Sequence, residues 1–281
     1  MWGGPSAGAM AEPGRGAVEL FVREEGQGAP IVLLHGVGAN HAIWNGVIPH
    51  LAPEFHVLAP DLPGHGRSPA PEPPLYGFGE MTADLLHLLD GRGVRAAHWV
   101  GLSAGALLAL RLCLDAPARA RSLTTIGGSV YTDGHSRAVA ERWAETYARE
   151  GPDAFAVRLL KDLYYPDWIE AHMEFADRLR EEVPRVDYGP ARAWARAIAS
   201  FDERSRVASL VPPALIVQGM DDQVVDASHG RILRQSIPGS QIRIFASTGH
   251  MVPVERPGET AEAIAAFVRA VEAGAAAGGR P

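Results

Sequence analysis

The chain has 281 residues, of which 47% are hydrophobic and 21% charged, and a formal net charge of −7. This profile fits a globular protein with a sizeable core, and the negative charge disfavours nucleic acid and anionic membrane surfaces as partners. Cys113 is the only cysteine, which excludes an intrachain disulfide and a thiolate metal cluster, and no apolar run reaches the ~18 residues of a membrane helix.

In chain order, residues 1–17 are rich in Gly, Ala and Pro, lack a basic start and an apolar stretch, and read as a disordered leader, with Met10 as an alternative start. Val18 to Arg23 reads as a strand and Gly26–Gly28 as a turn. Pro30–Leu34 and Phe55–Ala59 are short apolar runs of the kind buried on both faces of a sheet. Phe78–Leu89 has helical apolar spacing, with Met81, Leu85, Leu88 and Leu89 on one side. His98–Val100 is a further strand and Ala104–Leu114 a helix. Leu123–Ile126, Ala214–Val217 and Ile242–Phe245 are strands, and Ala261–Val271 a closing helix. Residues 272–281 read as a disordered tail. Strands alternating with helices predict an α/β fold with a mostly parallel sheet covered on both faces.

Residues 130–210 break that rhythm. Four helices are predicted in a row, at about 135–149, 153–163, 167–182 and 190–200, punctuated by Gly151-Pro152, Pro166, Pro184 and Gly189-Pro190. The segment is rich in aromatic residues and reads as a helical insertion lying over the sheet.

The densest chemical signal is Gly101-Leu102-Ser103-Ala104-Gly105, placed between a strand and a helix. A serine hydroxyl becomes a useful nucleophile only when held out from the backbone within reach of a base. A sharp strand-to-helix turn does this, and flanking glycines let the chain close. The bare pattern is common, so its context matters. In an α/β sheet, active residues belong in loops beyond the carboxyl ends of strands. Four such loops carry reactive residues: His35–Gly38, Asp61–Ser68, Gly219–Val225 and Ser247–Met251.

Together, His35-Gly36-Val37-Gly38, the Asp61–Ser68 run, Gly101–Gly105, Gly219-x-x-Asp222, and Gly249-His250 followed by Glu255-Arg-Pro257 resemble the α/β-hydrolase fold family, in its capped branch of serine esterases and lactonases. The resemblance covers about residues 18–271. It implies a core at 18–129 and 211–271 and a helical cap at 130–210. It implies Ser103 as nucleophile, His250 as base and Asp222 as the acid orienting it, in the chain order of this fold. It also implies an oxyanion hole from the backbone N–H groups of Val37 and Ala104. Asp221 is then a turn residue. Asp133, after the strand that precedes the cap, is the alternative acid. Where the family often has proline shortly after the acid, this chain has Val225-Asp226.

His35 is expected to brace the oxyanion loop, and His65 and Arg67 to belong to a framework turn. The remaining histidines show no metal-ligand spacing. Cys113 reads as a buried, inert thiol. Trp143, Tyr164, Trp168 and Trp194 are the candidates for an apolar substrate wall.

The resemblance therefore implies a serine hydrolase of carboxylic esters or lactones working through an acyl-serine, with no cofactor and no metal. The expected partner is a small, largely apolar ester or lactone, with no nucleic acid or membrane, in the cytoplasm. A carbon–carbon bond hydrolase or perhydrolase-like enzyme with the same triad is the alternative. A non-hydrolytic ligand-binding or biosynthetic protein of the same fold is the alternative of another class.

Overall fold

The computed structural model describes residues 16–72 and 76–278. Only the last two residues of the expected leader fall among them. Seven strands form one sheet: β1 (Val22–Glu25), β2 (Ala29–Leu34), β3 (Phe55–Pro60), β4 (Ala97–Leu102), β5 (Ala120–Ile126), β6 (Ala214–Gly219) and β7 (Gln241–Phe245). Their order is β1-β3-β2-β4-β5-β6-β7; β1 runs antiparallel to β3 and every other pair is parallel. The helices are α1 (Ile48–Leu51), α2 (Phe78–Asp90), α3 (Ala104–Asp115), α4 (Gly134–Glu150), α5 (Pro152–Leu163), α6 (Pro166–Ala171), α7 (Met173–Glu182), α8 (Gly189–Ala199), α9 (Ser228–Ser236), α10 (Val252–Glu255) and α11 (Pro257–Gly278).

The apolar runs bury both faces of the sheet because successive side chains alternate sides. Val32, Leu34, Leu58, Trp99 and Ile216 join α2, α3 and α9 in one core, through Met81, Leu85, Leu108, Leu112 and Leu233. Ile31, Leu33, Val57, Val100, Leu215 and Val217 join α1 and α11 in the other, through Ile48, Leu51, Ile264 and Val268. Each fully buried side chain of this size is worth about 1.5–3 kcal/mol. A one-residue slip of β2 would only exchange its apolar neighbours between the two cores, so register must come from elsewhere. Parallel pairing supplies it: Leu34 lies beside Gly101, Leu102 beside Ile126, and Gly219 beside Phe245. The carboxyl ends of β2, β4, β5, β6 and β7 thus share one edge, and the loops that carry the motifs leave from it.

Three boundaries differ from the sequence reading. The first strand begins at Val22, because Val18 N donates to Asp84 Oδ1 (2.9 Å) and Phe21 N to Ser68 Oγ (2.9 Å); these amides are taken by side chains before they can pair in a ladder. The third predicted helix is two, α6 and α7, broken at His172 (φ −130°, ψ 49°), whose Nδ1 donates to Trp168 O (2.7 Å). The disordered tail expected from residue 272 is corrected as far as Gly278, through which α11 runs. Its Ala-rich sequence favours helix strongly enough to carry the chain past Gly274. The short helices α1, α9 and α10 lack the length that makes a periodic signal readable.

Between β5 and β6 the sheet gains no strand; α4 to α8 occupy this stretch, with one isolated bridge between Tyr131 and Asp202. No helix among the described residues is long and apolar enough to cross a membrane.

Candidate active site

Ser103 sits where β4 passes into α3, at φ 56° and ψ −123°. A non-glycine residue in this region costs about 1–3 kcal/mol and persists only where its surroundings enforce it. Here β4 and α3 touch: a Cβ on Gly101 would overlap the Gly105 carbonyl, and one on Gly105 would come within 2.5 Å of the Leu34 and His35 carbonyl oxygens. Ser103 N donates to Ile126 O (2.8 Å), which ties the turn to β5. The first N–H groups of α3, beginning at Ala104, have no acceptor one turn earlier and face the same edge.

The loop after β2 lies directly against this turn, for a Cβ on Gly36 would be 3.2 Å from Ser103 Cβ. His35 holds the loop. Its Nε2 accepts from Leu62 N (2.9 Å), so its proton is on Nδ1, which donates to Gly36 O (2.8 Å). Burial, reinforced by His65, pushes the His35 imidazole down to about 3, so it stays neutral. Val37, half-buried and packed on the first core, lies between the two glycines of this loop. The Asp61–Ser68 turn is framework. Asp61 Oδ1 accepts from His41 N (2.7 Å) and His41 Nδ1 (2.8 Å), and Oδ2 from Arg67 N (2.8 Å). His65 Nδ1 donates to Pro63 O (2.9 Å).

Burial also lowers the imidazoles of His65 and of His98, which lies at the far end of β4 between Ser122 and Glu272. In the unfolded chain these three histidines protonate as pH falls through about 6.5; folded, they resist. Unfolding therefore takes up protons, and the melting temperature is expected to fall as pH drops from about 7 to 5. Glu203 and Glu255, raised by burial, act in the opposite sense. His98→Asn removes one of the three histidines at a distance from Ser103, and its melting curve should depend less steeply on pH. An equal slope for both proteins would refute this origin.

The loop after β6 brings Asp222 to His250. His250 Nδ1 donates to Asp222 Oδ2 at 2.7 Å, with the histidine 2% and the aspartate 5% exposed. Asp222 is over-determined: Oδ1 accepts from Val224 N (2.8 Å) and Val225 N (2.9 Å), and Oδ2 also from Gln218 Nε2 (3.0 Å). Gln218 is bonded in turn to Val225 O (2.9 Å). The loop therefore closes without the proline common in the family. Asp221 only joins the turn, its N donating to Thr248 O (3.0 Å) and its O accepting from Gln223 Nε2 (3.1 Å). Asp133 faces another histidine: it caps α4 through Ser136 N (2.8 Å) and lies 3.2 Å from His229 Nε2.

The backbone turn at Ile126-Gly127 lies between Ser103 and His250. Ile126 O holds Ser103 N, and a Cβ on the next residue, Gly127 (φ 56°), would lie 3.0 Å from both Cε1 and Nδ1 of His250 and 3.4 Å from Asp222 Oδ2. Gly127→Ala would make the imidazole give by a few tenths of an ångström at a backbone conformation that strains any side chain, and is expected to lower kcat about 10-fold. The check is kcat on a small ester alongside circular dichroism; an alanine variant with unchanged kcat would refute the steric account. Neither Gly127 nor Gln218 was singled out by motif. A Gly-Gly pair after a strand was the available signal for the first; nothing in the sequence marked the second.

The aromatic residues of α4 to α8 and their junctions divide by burial. Trp194 is fully buried in the first core and Tyr164 is buried in the second. Trp168 is half-buried, stacked between Tyr164 (5.3 Å) and His172 (4.2 Å). Trp143 donates its Nε1–H to Asp162 (2.8 Å) and packs on Val224 and Val225 beside Asp222. Tyr188 lies beside the His35–Gly38 loop, its ring carbon 3.5 Å from where a Cβ on Gly38 would be. Its place just before Gly189-Pro190, at the start of α8, is the sequence signal that marks it. Among the described residues no group of three His, Cys, Asp or Glu could hold a metal ion. Cys113 is buried, and burial pushes its thiol well above the usual range.

The sequence profile of the alpha/beta hydrolase fold matches residues 29–257. Among curated proteins, the chain is 31% identical over 231 residues to "Putative carbamate hydrolase RutD" of Azorhizobium caulinodans, covering 81% of this chain and 86% of that one. It is 30% identical over 259 residues to 2-hydroxy-6-oxo-2,4-heptadienoate hydrolase of Pseudomonas putida, covering 88% and 92%. Among solved structures, the enol-lactonase from Burkholderia xenovorans LB400 superposes with a TM-score of 0.81 at 25% identity, covering 90% of this chain and 97% of that one. With most of its length matched by the profile and its sheet order and serine turn built as described, the chain belongs to the alpha/beta hydrolase fold family.

Proposed function

We propose that the protein is a serine hydrolase that cleaves a small, largely apolar carboxylic ester or lactone. The observation that carries this reading is the buried Asp222–His250 pair at 2.7 Å, set across Gly127 from a serine at positive φ. In the reaction, Ser103 Oγ attacks the carbonyl carbon while His250 Nε2 takes its proton. The N–H groups of Val37 and Ala104 stabilise the oxyanion. The tetrahedral intermediate expels the alkoxide, which leaves with the proton from His250, and water then hydrolyses the acyl-serine by the same route. Asp222 keeps the histidine proton on Nδ1, so that Nε2 carries the free lone pair. α4 to α8 act as a cap over this edge, and Tyr188 lies beside the oxyanion loop.

A carbon–carbon bond hydrolase using the same residues is the second reading, favoured by the likeness to 2-hydroxy-6-oxo-2,4-heptadienoate hydrolase; carbamate cleavage is suggested by the RutD relative. The test is stoichiometric labelling by a fluorophosphonate with the site mapped by peptide mass, followed by turnover on a panel of esters, lactones, a carbamate and a 2-hydroxy-6-oxo-dienoate. Labelling at Ser103 with turnover confined to esters and lactones supports the first reading. Preferred turnover of the dienoate or carbamate would replace it.

A further inference from the structure

Glu255 is a buried carboxylate beside the site for which the proposed chemistry has no task. It is 6% exposed, at the end of α10, five residues beyond His250. Its oxygens accept from main-chain amides on two separate segments: Gly249 N donates to both (3.1 Å each), and Tyr165 N to Oε2 (3.1 Å). Tyr165 belongs to the junction between α5 and α6. The same junction holds the histidine itself, for Leu163 O accepts from His250 N (2.8 Å) and Met251 N (3.1 Å). The two backbones are in contact, since a Cβ on Gly249 would lie 2.8 Å from Leu163 O and 2.9 Å from Tyr165 N.

We propose that Glu255 is a positioning residue that fastens the α5–α6 junction to the histidine loop, so that this part of the cap and His250 are held as one unit, and that its negative charge supports the imidazolium formed on His250. The proposal rests on His250 being the base. Three arguments carry it. A carboxylate can accept from both segments at once, whereas a neutral apolar side chain would leave the buried Gly249 amide and the half-buried Tyr165 amide unpaired. Asp222 already bonds the imidazole directly, so a second carboxylate close by adds field without competing for Nδ1–H. The groups that face Glu255 electrostatically are Asp222, His250 and Tyr164. Burial, with Asp222, raises the Glu255 carboxyl, while the two amides and His250 pull it back towards the ionised form.

The test compares Glu255→Gln and Glu255→Leu in the full chain. Glutamine can keep one oxygen for both amides but removes the charge; leucine removes both. For Glu255→Gln the expected result is a kcat about 3- to 10-fold lower, with the acid limb of the kcat/KM profile moved down by roughly 0.5 pH unit, because an imidazolium without that charge gives up its proton more readily. For Glu255→Leu the expected result is a kcat about 10²-fold lower and a KM raised more for bulky than for small acyl groups. If both variants lose only melting temperature, with kcat and the acid limb unmoved, the proposal is overturned. If the leucine variant does not fold, the glutamine profile decides alone. Ser103→Ala, run in parallel, separates the two levels. Undiminished turnover there overturns the serine-hydrolase reading, whereas a dead serine variant beside an unmoved Glu255→Gln profile overturns only the role of Glu255.

Discussion

Ser103→Ala is expected to cut ester turnover by about 10³-fold or more, because the hydroxyl is the atom that forms the covalent bond in the proposed chemistry. Alanine should not disturb the fold. Ser103 reaches the rest of the chain through its backbone, N to Ile126 O and O to the amides of Ala106 and Leu107. Removing the hydroxyl deletes none of these bonds and leaves the residue at the same strained φ. The measurement is kcat on the best ester of the panel, with melting temperature as the control for folding. The residual rate should reflect what oxyanion donors and binding can do alone. Turnover at the wild-type rate by a well-folded alanine variant would end the serine-hydrolase reading.

Asp222→Asn is expected to lower kcat by about 10²–10⁴-fold. Asparagine is nearly the same size, and its carbonyl oxygen can still accept from Val224 N and Val225 N. That orientation turns its NH2 towards the position of Oδ2, where it meets two donors, Gln218 Nε2 and His250 Nδ1. The histidine is then driven to carry its proton on Nε2, and the lone pair needed to take the serine proton is lost. Asp221→Asn touches only a turn and should keep kcat within about 3-fold of wild type. The paired measurement is decisive, because the two residues are adjacent. A large loss in Asp221→Asn with a small one in Asp222→Asn would exchange their roles.

Ser103 is legible in the sequence, and the reason is local. Gly101 and Gly105 bracket Ser103 because one strand-to-helix turn needs them, and a turn is made by consecutive residues. The same holds for the apolar runs of β2, β4 and β6, whose burial on both faces follows from their unbroken hydrophobicity. Asp222 was separable from Asp221 only by resemblance to a family, since adjacent aspartates in a loop look alike. The fold shows why they differ: Gln218 and the amides of Val224 and Val225 close on one carboxylate and leave the other to the turn.

The inserted stretch of α4 to α8 shows the opposite case. Aromatic residues within it were visible in the sequence, but their positions were not. Composition is the same for a ring in a core and a ring in a pocket, and only packing separates them. Trp194 and Tyr164 went to the two cores, and Tyr188 came to lie beside the His35–Gly38 loop. Likewise, nothing in the local pattern tied Leu163 and Tyr165 to Gly249 and His250, or Gly127 to the imidazole. Those contacts join segments about 85 to 125 residues apart, and loop closure over such distances is repaid only when the whole sheet assembles. Turn chemistry, strand identity and the order of the reactive residues are properties of neighbours along the chain, so they can be read from it. The setting of His250, the partners of Asp222 and the packing of the inserted helices depend on which surfaces finally meet, and they exist only in the folded molecule.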